Sequence, residues 1–481
     1  MYFSPQSAVE AKAFTWGLFA VLAVCIFLIS FGAPIGPLLL VAALTFFVFC
    51  FRYLYSAFGL GILLIPFSGW FLSIPVTIPL IGDRAFGGSI DLTVIDVVLC
   101  FVFLAWVCKA TLLLRVRRDA AWKVHPPLFL PFLALVFAHL LSAFSSAEPD
   151  FLLVIKYTLR PVLFSYLAWV FLPTHLIRSR RRLVEICGII AVMGTAFALM
   201  GVVSMAFPLE GLPIGRARPL AIFGSFLLGD NQNSLSDILI WTLPLTLALR
   251  LLVRDVRVRR VALVASAIQL VAGIFTFTRT FWIAGVAELI IFSLIAARGL
   301  MTKHVRLITL STVFAIPFAV AIIFYWMSPT AQSSNTTRAM LLEISWTLFR
   351  ASPILGVGAG TFIDHVSWTR LFLTEFGAPL DSHGVIQKIG AETGIIGLLA
   401  YAWVWIAAAL GVYRSWKRLV DPFEQTLLAC LSAAATGAFV YQIFNTDYWS
   451  ARLWLPLGIL CAYLFMLEKK KVAQEDVNAS S

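Results

Sequence analysis

The chain has 481 residues, of which 61% are hydrophobic and 12% are charged, and its mean hydropathy is +0.94. This composition excludes a water-soluble globular domain and predicts a polytopic membrane protein. The formal net charge of +12 gives no reason to expect a nucleic-acid partner, because most Lys and Arg residues form short clusters between apolar stretches, which is a topological pattern.

Apolar stretches follow one another along the chain. A bilayer core requires about 20 apolar residues per helix, so the sequence predicts an all-α fold of about fourteen transmembrane helices in one integral membrane domain, residues 1–481. The first stretch, from Ala13, lacks a small-residue cleavage site, so we interpret it as a retained helix. The predicted helices are centred near residues 22, 43, 66, 102, 136, 161, 195, 243, 268, 288, 316, 398, 434 and 459.

Basic clusters occupy every second loop between the predicted helices. By the positive-inside rule these loops and both termini are cytoplasmic, including a tail at residues 468–481 that we expect to be frayed. The basic clusters are Arg115, Arg117, Arg118 and Lys123; Arg178 and Arg180 to Arg182; Arg254, Arg257, Arg259 and Arg260; Lys303 and Arg306; Arg414, Lys417 and Arg418; and Lys469 to Lys471.

The seven cysteines lie in or beside apolar segments, so we expect neither a disulfide framework nor a thiolate metal site.

The longest outward connection covers residues 327–384. Long loops in compact proteins are usually functional or disordered, and this one is rich in aromatic residues. Its segment "MLLEISWTLF" (340–349) has helical apolar spacing, which predicts short helices lying on the outer membrane surface.

Several arginines are exceptions to the rule that keeps basic residues out of outward loops. A single one could snorkel to headgroups or pair with an acid, but together they indicate an outward anion site. The planar Arg fork donates bidentate hydrogen bonds to phosphate oxygens, and a lipid diphosphate is the anion presented at that depth. Arg279, in "GIFTFTRTFWIAG" (273–285), occupies a tight turn where a charge needs an anionic partner. The exceptions are Arg84, Arg160, Arg216, Arg218, Arg279, Arg338, Arg370 and Arg452.

The six histidines separate by predicted location. His383 directly precedes a helix whose small residues Gly390, Gly394 and Gly397 allow close backbone approach to a neighbouring helix. Glu392 falls nine residues later, on the opposite helix face and more than ~10 Å away along the axis, so we expect it to bond another helix. Of the other histidines, we expect His125, His175 and His304 to be solvated in cytoplasmic loops, His139 to be a hydrogen-bonded core residue, and His365 to face outward.

The segment "DSHGVIQKIGAETGIIGLLAY" (381–401) resembles the signature of the O-antigen ligase and polymerase superfamily of bacterial membrane glycosyltransferases. In that signature a His, usually followed by Asn, precedes a helix with Glu and paired Gly residues. His383, Glu392, Gly394 and Gly397 match these positions, whereas Gly384 stands where the family usually has Asn, Ser or Gln.

Three further stretches carry the same resemblance, which covers roughly residues 210–410. "RARPLAIFGSFLLGDNQNSLSD" is similar to the family's outward loop that ends in an Asn, here Asn233, and "TFTRTFW" is similar to its Ser-Arg turn, with Thr278 in place of Ser. "TTRAMLLEISWTLFRASPILGVGAGTF" is similar to its Arg, Trp and Pro-x-x-Gly-x-Gly loop, matched by Arg338, Trp346, Pro353, Gly356 and Gly358.

The resemblance implies transfer of a glycan from a polyprenyl diphosphate donor, such as undecaprenyl diphosphate, to an acceptor hydroxyl. The reaction would take place at the periplasmic face of the bacterial inner membrane, in lipopolysaccharide or exopolysaccharide biosynthesis. It would invert the anomeric carbon and need no cofactor. It would need no metal either, because we find no outward DxD motif or cluster of carboxylates and histidines.

Each candidate residue has a role in this hypothesis. Catalysis would use His383 as the general base, because imidazole titrates near neutral pH. The outward aromatic residues Trp346, Trp368, Tyr448 and Trp449 could stack on sugars or form an interfacial belt. The remaining assignments are Arg218, Arg279 and Arg338 for the diphosphate; Arg216, Asn233 and Asp381 as candidate substrate-binding residues; and Glu392, Gly394 and Gly397 as a structural motif.

Other functions stay open at this stage. A ligase would use a lipid A core acceptor, a polymerase a growing lipid-linked glycan, and an oligosaccharyltransferase a protein. The rival from another class is a transporter or flippase with Glu288, Asp96 and Arg160 along a pathway, although the matched broken repeats common in transporters are not evident. A scaffold is the third alternative. Convergence of Arg218, Arg279, Arg338 and His383 at one outward site would favour the transferase.

Overall fold

The computed structural model describes residues 35–68, 71–75, 89–117, 125–145, 155–207, 215–221, 228–229, 231–296, 328–367, 380–446, 448 and 450–480. Several predictions lie outside these residues: the helices centred near residues 22 and 316, and the side chains of Arg84, His304, Trp368, Arg370 and Trp449.

Residues 1–61 and 96–123 form one of two compact units. In it, the ring of Phe46 on α1 (Ile35–Arg52) packs edge-on against Phe101 of α3 (Val94–Arg117), with centroids 5.5 Å apart. A bend of 112° separates α1 from α2 (Leu54–Leu63), so this pair provides at most one span. The prediction of a separate span near residue 66 is wrong, because Pro66 lies in a 3-10 turn (Ile65–Phe67) after α2 has ended.

Residues 62–95 and 124–481 form the second compact unit. It contains a short antiparallel ribbon of β1 (Phe71–Pro75) and β2 (Ser89–Thr93), which departs from the all-helical prediction. Its other described elements are helical: α4 (Phe129–Ser145), two π-helical segments (Ile155–Phe164 and Leu167–Phe171), α5 (Leu172–Leu176), α6 (Arg180–Ser204), α7 (Gln232–Leu252), α8 (Val256–Phe275), α9 (Arg279–Ala296), α10 (Ser328–Ala351), α11 (Phe362–Ser367), α12 (Val385–Arg418), α13 (Pro422–Ile443) and α14 (Ala451–Ser480).

The fold is therefore an all-α polytopic membrane fold with one small ribbon. By length and composition, the described residues contain 8 helices that could cross a membrane, or up to 9 with the bent pair. The stretch near residue 161 is not counted among them, because it consists of adjoining π-helical and α-helical segments (Ile155–Phe164, Leu167–Phe171 and Leu172–Leu176) that are each too short, so the span predicted there stays a prediction. The apolar helix α4 is also too short to be counted. The 8 spans are α3, α6, α7, α8, α9, α12, α13 and α14, and each contains a predicted centre.

Polar side chains tie the central helices together. In the second unit, α13 packs on α9 and α7, and α7 packs on α6 and α8. The amide of Gln269 on α8 accepts a hydrogen bond from Thr242 at 3.1 Å and donates to Thr195 at 3.1 Å and Thr246 at 3.0 Å. Such bonds join three helices where lipid supplies little hydrophobic drive for helix association.

A buried ion pair accounts for one of the exceptional arginines. Arg452 on α14 donates to the Asp237 carboxylate of α7 at 3.0 Å, and Gln442 of α13 donates to the other carboxylate oxygen at 3.2 Å. Buried charges are retained when they are paired and hydrogen-bonded in this way. The Asp237 carboxylate thus joins three helices, with Arg452 as its charged partner.

Three local predictions can be compared with the structure. His139 is buried and its Nδ1 lies 2.9 Å from the Leu135 carbonyl, as predicted for a core residue. The prediction of a solvated His175 is wrong, because this ring is buried and its Nε2 accepts a hydrogen bond from the His125 amide at 3.1 Å. The C-terminal tail continues helix α14 to Ser480, whereas its fraying stays a prediction.

Candidate functional site

The beginnings of α7 and α9 lie side by side. Asn231 is the N-cap of α7, and its side-chain oxygen accepts a hydrogen bond from the Asn233 amide at 2.9 Å. The hydroxyl of Thr278, just before α9, donates to the Asn233 side-chain oxygen at 3.2 Å. Helix N-termini carry partial positive charge and free amides, so their juxtaposition favours an anion at this place.

The short chain segment at residues 216–218 supports the turn before Arg279. Arg216 donates from Nε to the Thr276 carbonyl at 2.7 Å and from Nη2 to the Phe277 carbonyl at 3.4 Å. Burial lowers the pKa of this guanidinium. Arg216 therefore stabilises the turn through these two bonds, and its contact with substrate stays a prediction.

Arg218 follows in the same segment. Its backbone amide donates to the Ser204 hydroxyl at 2.9 Å, which fixes the chain at the end of α6. Among the described residues, its buried Nε has no hydrogen-bond partner. A buried donor without a partner costs free energy, so this side chain has hydrogen-bonding capacity that a ligand can use.

Arg279 and Arg338 approach each other from different helices. Arg279, the first residue of α9, donates to the Asn335 side-chain oxygen on α10 at 2.6 Å. One turn further along α10, burial and the positive charge of Arg279 lower the pKa of Arg338, while Tyr441 of α13 opposes this effect. The two guanidinium groups are therefore close enough to repel each other, and an anion between them would relieve that repulsion.

Tyr441 was not found by sequence reasoning. Its hydroxyl donates to the Asn233 carbonyl at 2.7 Å and lies 2.7 Å from the Ser236 hydroxyl, so it connects the end of α13 to the start of α7. It follows the signature segment by forty residues inside an ordinary apolar helix, and no local pattern distinguishes it.

His383 lies in the turn before α12 and is half-buried. Burial and the positive charge of Arg338 lower the pKa of its imidazole, and the Asp381 carboxylate opposes them. The neighbouring Ser382 is fixed on both sides, since its hydroxyl donates to the Gly384 carbonyl at 3.0 Å and its own carbonyl accepts from the Thr446 hydroxyl. The backbone next to His383 is therefore held in place, and the lowered pKa keeps its imidazole neutral near neutral pH.

The glycine after His383 has a steric explanation. A Cβ atom built on Gly384 would lie 2.7 Å from the Ile443 carbonyl oxygen and 3.1 Å from the Gln387 side-chain carbon. An Asn at this position would require the end of α13 to shift. The departure from the family signature is thus matched to the packing of this chain.

A buried chain of charges leads from this turn into α12. Asp381 accepts from the Lys388 ammonium at 2.6 Å, and the same ammonium lies 4.0 Å from the Glu392 carboxylate. Glu392 in turn accepts a hydrogen bond from the Phe362 amide at 3.2 Å, at the start of α11. Glu392 bonds another helix, as predicted, whereas no pattern in the sequence indicated Lys388 or its pairing with Asp381.

Gly394 breaks α12 and receives the loop that follows α10. Its φ of 63° and ψ of −158° are non-helical, so the helix loses its regular hydrogen bonds there. The loop replaces them, because Val357 donates to the Ala391 carbonyl at 3.0 Å and Ile395 donates to the Pro353 carbonyl at 2.9 Å. Gly394 therefore approaches a loop backbone, whereas the predicted approach was to a helix.

The other glycines of this segment differ in their surroundings. Gly356, with a φ of 74°, would place a Cβ atom 2.2 Å from the Glu392 carbonyl carbon, so the docked loop also requires glycine. Gly397 leaves room for the Thr393 side chain of the same helix and not for a neighbouring helix.

We expect Gly394→Ala to destabilise the protein by about 2 kcal/mol or more, because a side chain there is strained and a Cβ atom would lie 2.4 Å from the Ile354 carbonyl oxygen. Thermal unfolding in detergent would show a lower Tm. The matched control is Gly390→Ala, where the nearest atom to a new Cβ would be 3.4 Å away on the Leu398 side chain. Equal Tm values for the two variants would contradict this role of the kink.

Two outward aromatic residues have different environments. Trp346 on α10 is 54% exposed. Its ring stacks on Phe349, with 5.6 Å between the ring centroids, and the Arg350 guanidinium lies 5.9 Å from the centroid of the Trp346 ring. Tyr448 is buried, so its ring is not available to stack on a sugar at the surface.

The site therefore combines positive groups from separate parts of the chain. Arg279 and Arg338 interact, Arg338 interacts with His383, and the segment containing Arg218 supports the turn next to Arg279. Asn233 and Tyr441 connect the same helix ends.

Comparison with known families agrees with the motifs. Residues 264–402 match the family described as O-antigen ligase, which confirms the predicted resemblance to the O-antigen ligase and polymerase superfamily. The matched segment contains Arg279, Arg338, His383 and Glu392. No curated protein matches the chain significantly. The family indicates an enzyme of the membrane glycosyltransferase type, with lipid-linked glycan substrates, in a bacterial membrane.

Proposed function

We propose that this protein transfers a glycan from a polyprenyl-diphosphate-linked donor to an acceptor hydroxyl, as an O-antigen ligase. The observation that carries the proposal is that Arg279 bonds Asn335, one turn before Arg338 on α10, next to the beginnings of α7 and α9, while the charge of Arg338 acts on both Arg279 and His383. Repulsion between the two guanidinium groups is costly without an anion, and a neutral base next to an anion site is what glycosyl transfer from a diphosphate requires.

The arginines bind the donor diphosphate in this proposal. Arg279 and Arg338 flank the diphosphate, and Arg218 supplies its unused Nε donor. As the glycosidic C–O bond breaks, negative charge grows on the departing diphosphate, and fixed guanidinium groups stabilise it more in the transition state than in the ground state. Because arginine supplies this stabilisation, the mechanism does not depend on a metal or another cofactor.

His383 activates the acceptor. The neutral imidazole takes the proton of the acceptor hydroxyl while that oxygen attacks the anomeric carbon from the side opposite the leaving diphosphate, which inverts the configuration. The lowered pKa of His383 supports this role, since the base is deprotonated at neutral pH. In this proposal, Asn233 and Asp381 orient groups of the substrate, and their bonds to Thr278 and Ser382 support this role by fixing the two side chains.

The proposed orientation puts this site at the periplasmic face of the inner membrane. The basic clusters place both termini in the cytoplasm, and the connection at residues 327–384 then faces the periplasm, where it supplies Arg338 on α10. A diphosphate headgroup of an undecaprenyl lipid would reach the site from the outer leaflet.

The acceptor decides between a ligase and a polymerase. Purified protein in nanodiscs would be tested in two parallel reactions. One contains a polyprenyl-diphosphate-linked oligosaccharide as donor and a lipid A core as acceptor, and the other contains an excess of the same donor without the core. We expect one glycan transferred to the core, detected by mass spectrometry. A ladder of longer glycans from donor alone would identify a polymerase, and no product in either arm would contradict glycosyl transfer and favour a transporter.

A further inference from the structure

Lys388 is a cation in an unusual place. Its side chain is 1% exposed, in the first turns of α12, and its ammonium donates to Asp381 at 2.6 Å. A buried ammonium is expensive unless it is paired, so Asp381 and the more distant Glu392 compensate it. The proposed transfer reaction assigns no step to Lys388.

The contacts of Lys388 converge on the turn that presents His383. The Lys388 amide donates to the Gly384 carbonyl at 3.0 Å, and its ammonium reaches back to Asp381. The second oxygen of Asp381 accepts from the Ser382 amide at 2.8 Å. The residues before and after His383 are therefore both connected to Lys388.

On this basis, and resting on the proposed function, we infer that Lys388 is a positioning residue for His383. Its ammonium pairs with the Asp381 carboxylate. This ion pair keeps the carboxylate from pairing with the His383 imidazole, and it also holds the turn in one position. Lys388 thereby controls the pH range in which the base is neutral, and it fixes the direction in which the base faces the substrate.

The charges around His383 determine the sign of the effect. Arg338 from α10 lowers the pKa of the imidazole, with Arg279 from α9 behind it, and Asp381 raises this pKa. Lys388 reduces the influence of Asp381 by pairing with it. Removing the ammonium therefore strengthens the effect of Asp381 and raises the pKa of His383, whereas removing the Asp381 charge lowers it.

The test measures the titration of His383 without using transfer activity. Diethyl pyrocarbonate acylates neutral imidazole, so its rate of reaction with the His383 peptide, followed by mass spectrometry against pH, reports the pKa of this ring. The full-length protein in nanodiscs would be compared with Lys388→Met, Lys388→Arg, Asp381→Asn and the double variant Asp381→Asn/Lys388→Met. His365, which lies on α11, serves as the reference ring in the same digest.

We expect the His383 midpoint to rise by roughly half a pH unit or more in Lys388→Met and to stay unchanged in Lys388→Arg. The His383 midpoint should fall in Asp381→Asn and should not rise in the double variant. The double variant has no unpaired carboxylate, so the test stays valid if the unpaired Asp381 of Lys388→Met prevents folding. A wild-type midpoint in Lys388→Met would overturn the inference, and so would equal shifts at His365 and His383, which indicate general loosening. Because no donor is used, the result is independent of the transfer assay.

Discussion

Replacing His383 by Ala should lower the rate of glycan transfer by about 10²–10⁴-fold, which corresponds to about 3–5 kcal/mol of activation free energy. The loss arises because no other group is placed to take the acceptor proton in the proposed mechanism. Donor binding should change little, since the arginines remain. The measurement is kcat for transfer to the lipid A core, with donor affinity determined separately.

The matched control is His365→Ala. This histidine is also half-buried in the loop region, next to Asp364, and burial lowers its pKa in the same way. It has no role in the proposed mechanism, so its variant should retain wild-type activity. Full activity in His383→Ala would refute the role of His383 as the general base.

The pH profile gives a second signature of His383. Because burial and Arg338 lower its pKa, the imidazole stays neutral to a pH below the ordinary value of about 6.5. The value of kcat/KM for the wild type should therefore fall only on the acid side of that value, and His383→Ala should lose this acid limb. An acid limb that persists in the variant would assign the titration to another group.

The second large effect is expected for Arg338→Ala, with a loss of about 10²–10³-fold in kcat/KM. The charge of Arg338 acts on both Arg279 and His383, and in the proposed mechanism it binds the diphosphate, so its removal weakens diphosphate binding and leaving-group stabilisation together. It also removes a positive charge that lowers the pKa of His383, so the acid limb should move to higher pH. Kinetics at several pH values would measure both effects.

Arg350→Ala is the control for Arg338→Ala. It removes an arginine from the same helix, but one that is exposed and lies over the Trp346 ring at 5.9 Å. Its loss should leave kcat/KM and the pH profile unchanged. Equal losses in the two variants would show that the effect depends on the total positive charge of α10 and not on the position of Arg338, which would contradict a specific diphosphate site.

Most of the membrane-spanning architecture could be predicted because it depends on local properties. A helix such as α7 or α13 is revealed by an apolar run long enough to cross the bilayer, whatever it packs against. The prediction of a span was wrong where backbone geometry overrides hydropathy, as at Pro66, since proline cannot donate the hydrogen bond that a regular helix requires.

The candidate site was partly predictable for the same reason. His383 and Arg338 belong to short motifs whose residue types indicate their chemistry, and Gly394 was expected to allow close approach. Lys388 and Tyr441 lie in helical sequences without distinctive features, so only their partners, Asp381 and Asn233, reveal them.

The sequence by itself determined that this is a membrane protein with a basic, histidine-containing signature. Composition, the length of the apolar stretches and the spacing of motifs are all local properties of neighbouring residues. The tertiary structure decided which charges act together. Arg338 and Arg452 are both arginines in predicted outward stretches, yet Arg452 is paired with Asp237, whereas Arg338 lies beside Arg279 and His383. Coulombic interaction depends on distance through space, and residues 215 positions apart become neighbours only when the helices pack.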